Sequence, residues 1–399
     1  MAMHDAPTPT ALATLMHQLG ISQSEIERRT GMSRRTVGRI FETGRYPGRM
    51  DAAARHDLEL TILAAVTEAG GSRDDYLQAL DQTASTNTTT TTTTTKEQTM
   101  LMSKQTLSQA ARKAFRLFTN PFDGEVVDDS QMFSNAEVAY VRQACLEAAT
   151  GGRFVALVGE SGAGKTTILG DLEARLHRDR KPVVLIKPYV LAMEDNDTKG
   201  KTLKSADILA SIISTLDPRA PMRITLQGRA KQAQDLLTAS AEAGHQHLLV
   251  IEEAHSMPDA TIKHLKRIHE MRLGRKPLLG ILLIGQTELA VRLDPKRAHL
   301  REVTQRCEMV QLMPLDSDLM PYLKHRAEAA GRKLEEFVDD RGLEEIRARL
   351  TVQRPGPGGK TVPTSLVYPL AVNNMITACL NVAADLGVPV VTRDVVRSV

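Results

Sequence analysis

Eight consecutive residues, Gly159-Glu160-Ser161-Gly162-Ala163-Gly164-Lys165-Thr166, follow the spacing GxxxxGK[ST]. Each residue type there has a chemical reason. Glycines let backbone N–H groups wrap a phosphate chain, and a helix starting at the end of the loop adds positive potential. The Lys165 ammonium can reach β- and γ-phosphates, the Thr166 hydroxyl can ligate Mg²⁺, and Thr167 follows in the same first turn. This is chemistry for ATP with Mg²⁺. A pair of acids complements it. In the run from His247 to His255, four apolar residues lead into Glu252 and Glu253. Glu252 is a candidate to hold Mg²⁺ through water, and Glu253 to orient or deprotonate an attacking water. Aspartate is usual at the first of these positions, so Glu252 brings one extra methylene of reach.

A phosphate loop needs a strand before it and a helix after it. Residues 154–158, Phe-Val-Ala-Leu-Val, form a continuous apolar run suited to a strand buried on both faces, and a helix is predicted from Thr166. Further strands are predicted at 247–251, 277–286 and 309–314. Short apolar runs that alternate with amphipathic helices predict an α/β fold on a parallel sheet. From 316 to 399 the pattern reads as helical, with a Gly/Pro loop at 354–360 and a last helix from about Leu366 that closes at Gly387.

With 399 residues, 42% hydrophobic and 25% charged, the chain is too apolar to be disordered and long enough for two or three domains. Cys145, Cys307 and Cys379 are far apart and form no CxxC pair, which predicts buried thiols in a reducing compartment. No apolar run approaches 18 residues, so the reading is a soluble, cytoplasmic chain with no membrane partner. Thr88 to Thr95 is an unbroken threonine octet with nothing to bury, and predicts a tether. The expected organisation is a helical domain over 1–80, a linker over 81–99, an ATPase core over 100–315 and a helical lid over 316–399.

The formal charge of +3 identifies no partner, but seven arginines and one acid lie between Arg28 and Arg49. Residues 11–47 read as three short helices. Ser22 and Glu25 form a capping box for the second, and Ser33 caps the third, with Ile26, Met32, Val37 and Ile40 as their small core. This run resembles Cro/repressor-type helix-turn-helix domains. The resemblance implies contact with double-stranded DNA through Arg34, Arg35, Thr36 and Arg39.

The motifs VALVGESGAGKTTIL, LLVIEEAH, ILLIGQTEL and MPLDSDLMPYLKHRAEAAG, with Asn120-Pro121-Phe122 ahead of them, resemble the ExeA/TnsC/Mu B group of AAA+ ATPases across about residues 115–395. Together with the amino-terminal helices, the resemblance is greatest to the B proteins of Mu-like transposable phages. It implies an AAA+ P-loop core with a helical lid. It also implies an ATP-dependent homo-oligomer, a ring or helical filament, that coats target DNA with little sequence preference and delivers it to a transposase. Gln286 stands where such ATPases sense the γ-phosphate, with Thr287 second; a plain amide capping the next helix is the alternative. Arg306 first, and Arg301 second, stand where a finger reaches a neighbour's ATP, against a surface ion pair as the alternative. Lys199, Lys201 and Lys204 lie where relatives touch the duplex backbone, and a second basic stretch runs from Lys263 to Lys276. The lid stretch Val367 to Asn374 lacks the arginine that relatives use as sensor 2, which implies slow hydrolysis until a partner acts. An ATP-switched transcriptional regulator and a helicase-loader ATPase of the IstB/DnaC kind are the competing readings.

Overall fold

The computed structural model describes residues 11–30, 37, 52–72, 102–124, 129–188, 202–297, 300–355 and 361–399. The chain divides into two compact units, Met1–Leu101 and Met102–Val399.

In the first unit, helices α1 (Ala11–Gln18), α2 (Gln23–Thr30) and α3 (Ala52–Glu68) surround a small core. The Glu25 N–H donates to Ser22 Oγ at 3.2 Å, so the cap read from the sequence starts α2. Met16, Ile26 and Val37 are buried against Ile62, Ala65 and Val66 of α3, a helix that the motif reading of residues 11–47 did not include. Glu25 pairs with Arg28 and, at 2.8 Å, with Arg29, which also reaches Glu68 of α3 at 2.6 Å. Two of the seven arginines are therefore engaged within the unit. Arg34, Arg35, Thr36 and Arg39 lie outside the described residues, as does the threonine linker.

The second unit is built on a five-stranded parallel sheet: β1 (Phe154–Val158), β2 (Val183–Ile186), β3 (Gln246–Ile251), β4 (Gly280–Gly285) and β5 (Cys307–Gln311). Their spatial order is β2-β3-β4-β1-β5. β1 lies between β4 and β5, while its successor in the chain, β2, is at the far edge. Chain direction therefore splits beside β1, and a crevice opens at the carboxyl ends of the strands.

Helices cover both faces. Phe154, Ala156 and Val158 turn toward α7 (Ser205–Leu216), α8 (Leu226–Glu242), α9 (Asp259–His269), α10 (Thr287–Arg292) and α11 (Arg301–Thr304). Val155 and Leu157 turn toward α5 (Ala136–Gly151) and α6 (Lys165–Arg178). The two-residue period of a strand thus explains why β1 is apolar throughout: each face meets a helix layer.

Between α5 and α6, the Arg142 guanidinium holds Asp171 with two bonds of 2.7 Å, and Asp171 is only 8% exposed. Asp171→Ala leaves that guanidinium without its carboxylate and is expected to destabilise the fold by about 3 kcal/mol. A thermal melt that matches wild type would contradict this assignment.

A third core joins α12 (Leu319–Ala329), α13 (Asp340–Arg349), α14 (Pro369–Asp385) and α15 (Arg393–Ser398) to the beginning of the unit, including α4 (Gln109–Ala114). Phe115 and Phe122 pack on Phe337. The Ser108 N–H donates to Asn381 Oδ1 at 2.8 Å, and Asn120 Nδ2 to Thr377 Oγ1 at 3.0 Å. Residues 102–122 thus precede the sheet in sequence but pack with 315–399.

One difference from the sequence reading lies here. The stretch 316–399 is not wholly helical, because β6 (Thr351–Pro355) pairs antiparallel with β7 (Thr361–Ser365). Arg354, expected in a loop, belongs to β6. The Gly/Pro run separates two strands rich in Thr and Val, and β-branched side chains favour that extended backbone.

Candidate functional site

The loop leaving β1 is tied to the next strand by the Gly159 N–H, which donates to the Gly285 carbonyl at 3.2 Å. Gly164, at φ 98°, caps α6. Gly162 is also left-handed, at φ 77°, and a Cβ there would lie 2.5 Å from Leu370 Cβ. The Leu370 N–H donates to the Gly162 carbonyl at 3.2 Å, so the first turn of α14 rests on the loop. Gly162→Ala is expected to cost about 1–2 kcal/mol from the positive φ alone and to push α14 away. Lower melting temperature together with weaker nucleotide binding is the expected result, and unchanged affinity for a fluorescent ATP analogue would argue against the coupling.

Lys165 folds back over the loop, its Nζ donating to the carbonyls of Gly159 and Glu160 at 2.8 Å each. Burial pulls its ammonium below the usual lysine range, while Glu253, Glu160 and Glu288 oppose that shift. The Thr287 hydroxyl donates to Glu160 Oε1 at 2.9 Å, linking the loop to the segment after β4.

A cavity of about 370 Å³ opens beside these groups, lined by the loop from Ser161 to Thr167, by Glu253 and Gln286, and by Pro369 and Leu370. Its remaining wall includes Phe133, Tyr322 and Arg326. Phe133 meets Tyr322 edge-on at 5.5 Å, and the Tyr322 hydroxyl donates to Asn373 Oδ1 at 3.0 Å. The volume is that of a small-molecule site, and its lining joins the phosphate loop with the aromatic side chains Phe133 and Tyr322.

Both acids are exposed, but Glu253 lines the cavity and Glu252 does not. Glu253 adopts φ 50° and ψ 34°, a left-handed turn that a non-glycine residue rarely takes. His255 sits behind it: its Nδ1 lies 3.5 Å from Glu253 Oε2 and accepts the Gln286 N–H at 3.4 Å. Arg292 in turn binds the His255 carbonyl and Asp259. Gln286 occupies the cap position of α10, yet its side chain makes no capping bond.

Arg301 and Arg306 are absent from the cavity wall. Cys307 pairs with Phe154, so Arg306 stands at the amino end of the sheet, four residues or about 13 Å along β1 from Val158, after which the loop begins. Arg306 pairs with Glu270 at 3.2 Å and donates to the Glu302 carbonyl at 2.9 Å, whereas Arg301 has no ion pair among the described residues. Lys204 is exposed at the start of α7; Lys199 and Lys201 lie outside the described residues.

Three contributors escaped the sequence reading. His255 closed a quoted motif but carried no signal of its own. Leu370 reads as an ordinary apolar helix residue. Arg326 is 6% exposed, and its guanidinium donates to the Pro121 carbonyl at 3.1 Å and to that of Asp123. It lies in α12 on the cavity wall, with its guanidinium bound to carbonyls.

Residues 148–293 match the family model described as an AAA domain. This segment is an AAA-type P-loop domain. Its match covers β1 through α10, including the loop, both glutamates and Gln286. Over 183 residues the chain is 28% identical to General secretion pathway protein A of Aeromonas hydrophila. That similarity spans 45% of this chain and 31% of the relative, so the chain covers under a third of the length of its curated relative. Among solved structures, the chain is similar to the ORC2 protein of Aeropyrum pernix, with 17% identity, 70% of each chain covered and a TM-score of 0.42. It is also similar to the RuvB Holliday junction branch migration motor of Thermotoga maritima, with 17% identity, 66% and 68% covered and a TM-score of 0.37.

The AAA domain presents what a nucleotide requires: left-handed glycines in the loop, a helix start, a half-buried cation and a cavity of matching size. Among the described residues no group of three or more His, Cys, Asp or Glu could hold a metal by itself. A Mg²⁺ ion here would take its ligands from a hydroxyl, a carboxylate, phosphates and water, as that ion commonly does.

Proposed function

We propose that the protein is a Mg²⁺-dependent ATPase whose nucleotide state governs assembly on double-stranded DNA, and that it presents target DNA to a transposase. The observation that carries the ATPase reading is the convergence of Lys165, Glu253 and Gln286 on one cavity at the carboxyl end of the sheet. In this reading the amides of 159–165 and Lys165 bind the phosphates. Thr166 and Glu252 hold Mg²⁺, which when bound neutralises phosphate charge. Glu253 orients water, and Gln286, whose backbone N–H is held by His255, faces the terminal phosphate. Arg301 or Arg306 serves the ATP of a neighbouring copy, in line with its distance from its own loop.

The DNA part of the reading rests on the arginines between 28 and 49 and on the motif resemblance. A second reading, a role in secretion, is favoured by the similarity to General secretion pathway protein A. Electron microscopy of the protein with linear random-sequence duplex in ATP, a nonhydrolysable analogue and ADP separates them. Coating of the duplex with ATP or the analogue, lost with ADP, supports the transposition reading. A bare duplex under every condition overturns it, and protection of one site alone favours a regulator.

A further inference from the structure

The stretch from Ala260 to Pro277 holds six Lys and Arg against one acid, Glu270, a larger local surplus than the whole chain's +3. The fold decides which of those cations are available. Lys266 lies 3.9 Å from Glu270 and is bonded to Glu302, and Glu270 is also held by Arg306. Both nearby carboxylates are thus already neutralised. Lys263, Arg267, Arg272, Arg275 and Lys276 are exposed, and none has an ion pair among the described residues.

These five residues form a built feature rather than a scattered surface. Lys263 and Arg267 are one turn apart on the outer stripe of α9, opposite the buried Ile262, Leu265 and Ile268. The chain then enters a two-stranded hairpin in which Arg272 pairs with Pro277 and Leu273 with Lys276. Gly274, at φ 60°, opens its two-residue turn, the place where a tight hairpin needs glycine. Its base is fixed: the Leu278 N–H donates to the Met271 carbonyl at 3.0 Å. Pro277 packs so closely on Gly152 that a Cβ there would lie 2.5 Å from Pro277 Cγ. The Arg272 guanidinium bonds across the turn to the Arg275 carbonyl at 3.1 Å. Held this way, the hairpin backbone is already ordered before it meets a line of negative charge. Four residues of helix rise about 6 Å, comparable with two axial steps of about 3.4 Å between charges on one duplex strand.

We infer that the outer stripe of α9 and the hairpin at residues 272–277 form a binding site for the phosphate backbone of double-stranded DNA. This inference rests on the DNA reading above and locates it on the ATPase unit. The hairpin feeds the amino end of β4, whereas the phosphate loop lies at the carboxyl ends, about 20 Å away along a six-residue strand. DNA and nucleotide sites are therefore separable by mutation.

The test is fluorescence anisotropy of full-length protein on a random-sequence duplex with ATP analogue, from 50 to 300 mM NaCl. The triple variant Arg272→Gln, Arg275→Gln, Lys276→Gln is expected to flatten the slope of log K against log salt by about 2–3, and to weaken binding at 0.1 M salt about 100-fold. The charge-preserving pair Arg272→Lys, Arg275→Lys is expected to keep the wild-type slope. Binding of a fluorescent ATP analogue reports folding. Should the triple variant lose it, Arg275→Gln alone, at the turn, is read instead, with a slope change of about 1. An unchanged slope and affinity in a folded variant, while wild type binds, overturns this site and leaves the DNA reading intact. Wild-type protein that fails to bind the duplex overturns both.

Discussion

Lys165→Ala is expected to abolish nucleotide binding while leaving the protein folded. The ammonium lies in the bend of the phosphate loop, held 2.8 Å from two loop carbonyls, and no other lysine or arginine of the loop lines the cavity beside it. Its partners are two backbone carbonyls, and removing the side chain also removes the desolvation cost of its half-buried ammonium, so the net loss of stability is small. A triphosphate has no comparable substitute. In a partly buried site a charge-assisted bond contributes well above a neutral one. Removing a preorganised donor of this kind typically lowers turnover by 10²–10³-fold. Two readouts check the prediction. Titration with a fluorescent ATP analogue should show at least about a hundredfold weaker binding. A thermal melt should lose the stabilisation that saturating ATP gives wild type, which is about 2.7 kcal/mol at a hundredfold excess over Kd. If the variant binds ATP with wild-type affinity, the loop is not the phosphate site.

Glu253→Gln is expected to do the reverse, retaining ATP but not hydrolysing it. The carboxylate faces the cavity, and the substitution keeps its size and backbone while removing the charge that aligns water. A loss of about 10²–10⁴-fold in turnover is the expected range for general-base work. Affinity should hold or rise, because Glu253 opposes the phosphates electrostatically. The comparison with Glu252→Gln is informative, since the two acids are adjacent yet only Glu253 lines the cavity. Weakened Mg²⁺ dependence, with smaller loss of turnover under saturating metal, is expected for Glu252→Gln. Single-turnover rates with varied Mg²⁺ distinguish the two, and equal rates for Glu253→Gln and wild type would remove Glu253 from the chemistry. His255→Asn should fall between them, because His255 Nδ1 stands next to Glu253 and accepts the Gln286 N–H.

The parts that were legible in the sequence share one property: their signals are local. Phe154 to Val158 announces a buried strand because both its faces must be apolar, and the observed β1 has those bounds. The glycine spacing before Lys165 announces a tight loop into a helix, and α6 starts at Lys165 itself. The Ser22 cap and the stop of the last long helix before Gly387, at φ 68°, depend on one or two residues of backbone geometry. A chain of local signals of this kind is enough to specify a parallel α/β unit with a phosphate loop.

What local signals could not carry is anything set by partners distant in sequence. Residues 102–122 pack on α14 some 260 residues later, so nothing near Asn120 marks it as a neighbour of Thr377. The hairpin of β6 and β7 was hidden because Gly and Pro dominate the loop reading, while pairing of Thr351 with Ser365 needs both strands. Order in the motif gives Glu252 and Glu253 different candidate roles, but that only Glu253 lines the cavity is set by the left-handed turn after β3. Lys266 and Lys276 are likewise both basic residues of one stretch, yet Glu302 from α11 neutralises the first, while the second has no ion pair among the described residues. The sequence by itself determined the chemistry this chain can do, a phosphate loop with acids on a parallel sheet, because that depends on residue types at short spacing. Tertiary structure alone decided which copy of each residue type takes part, because burial, pairing and facing are properties of elements brought together across hundreds of residues.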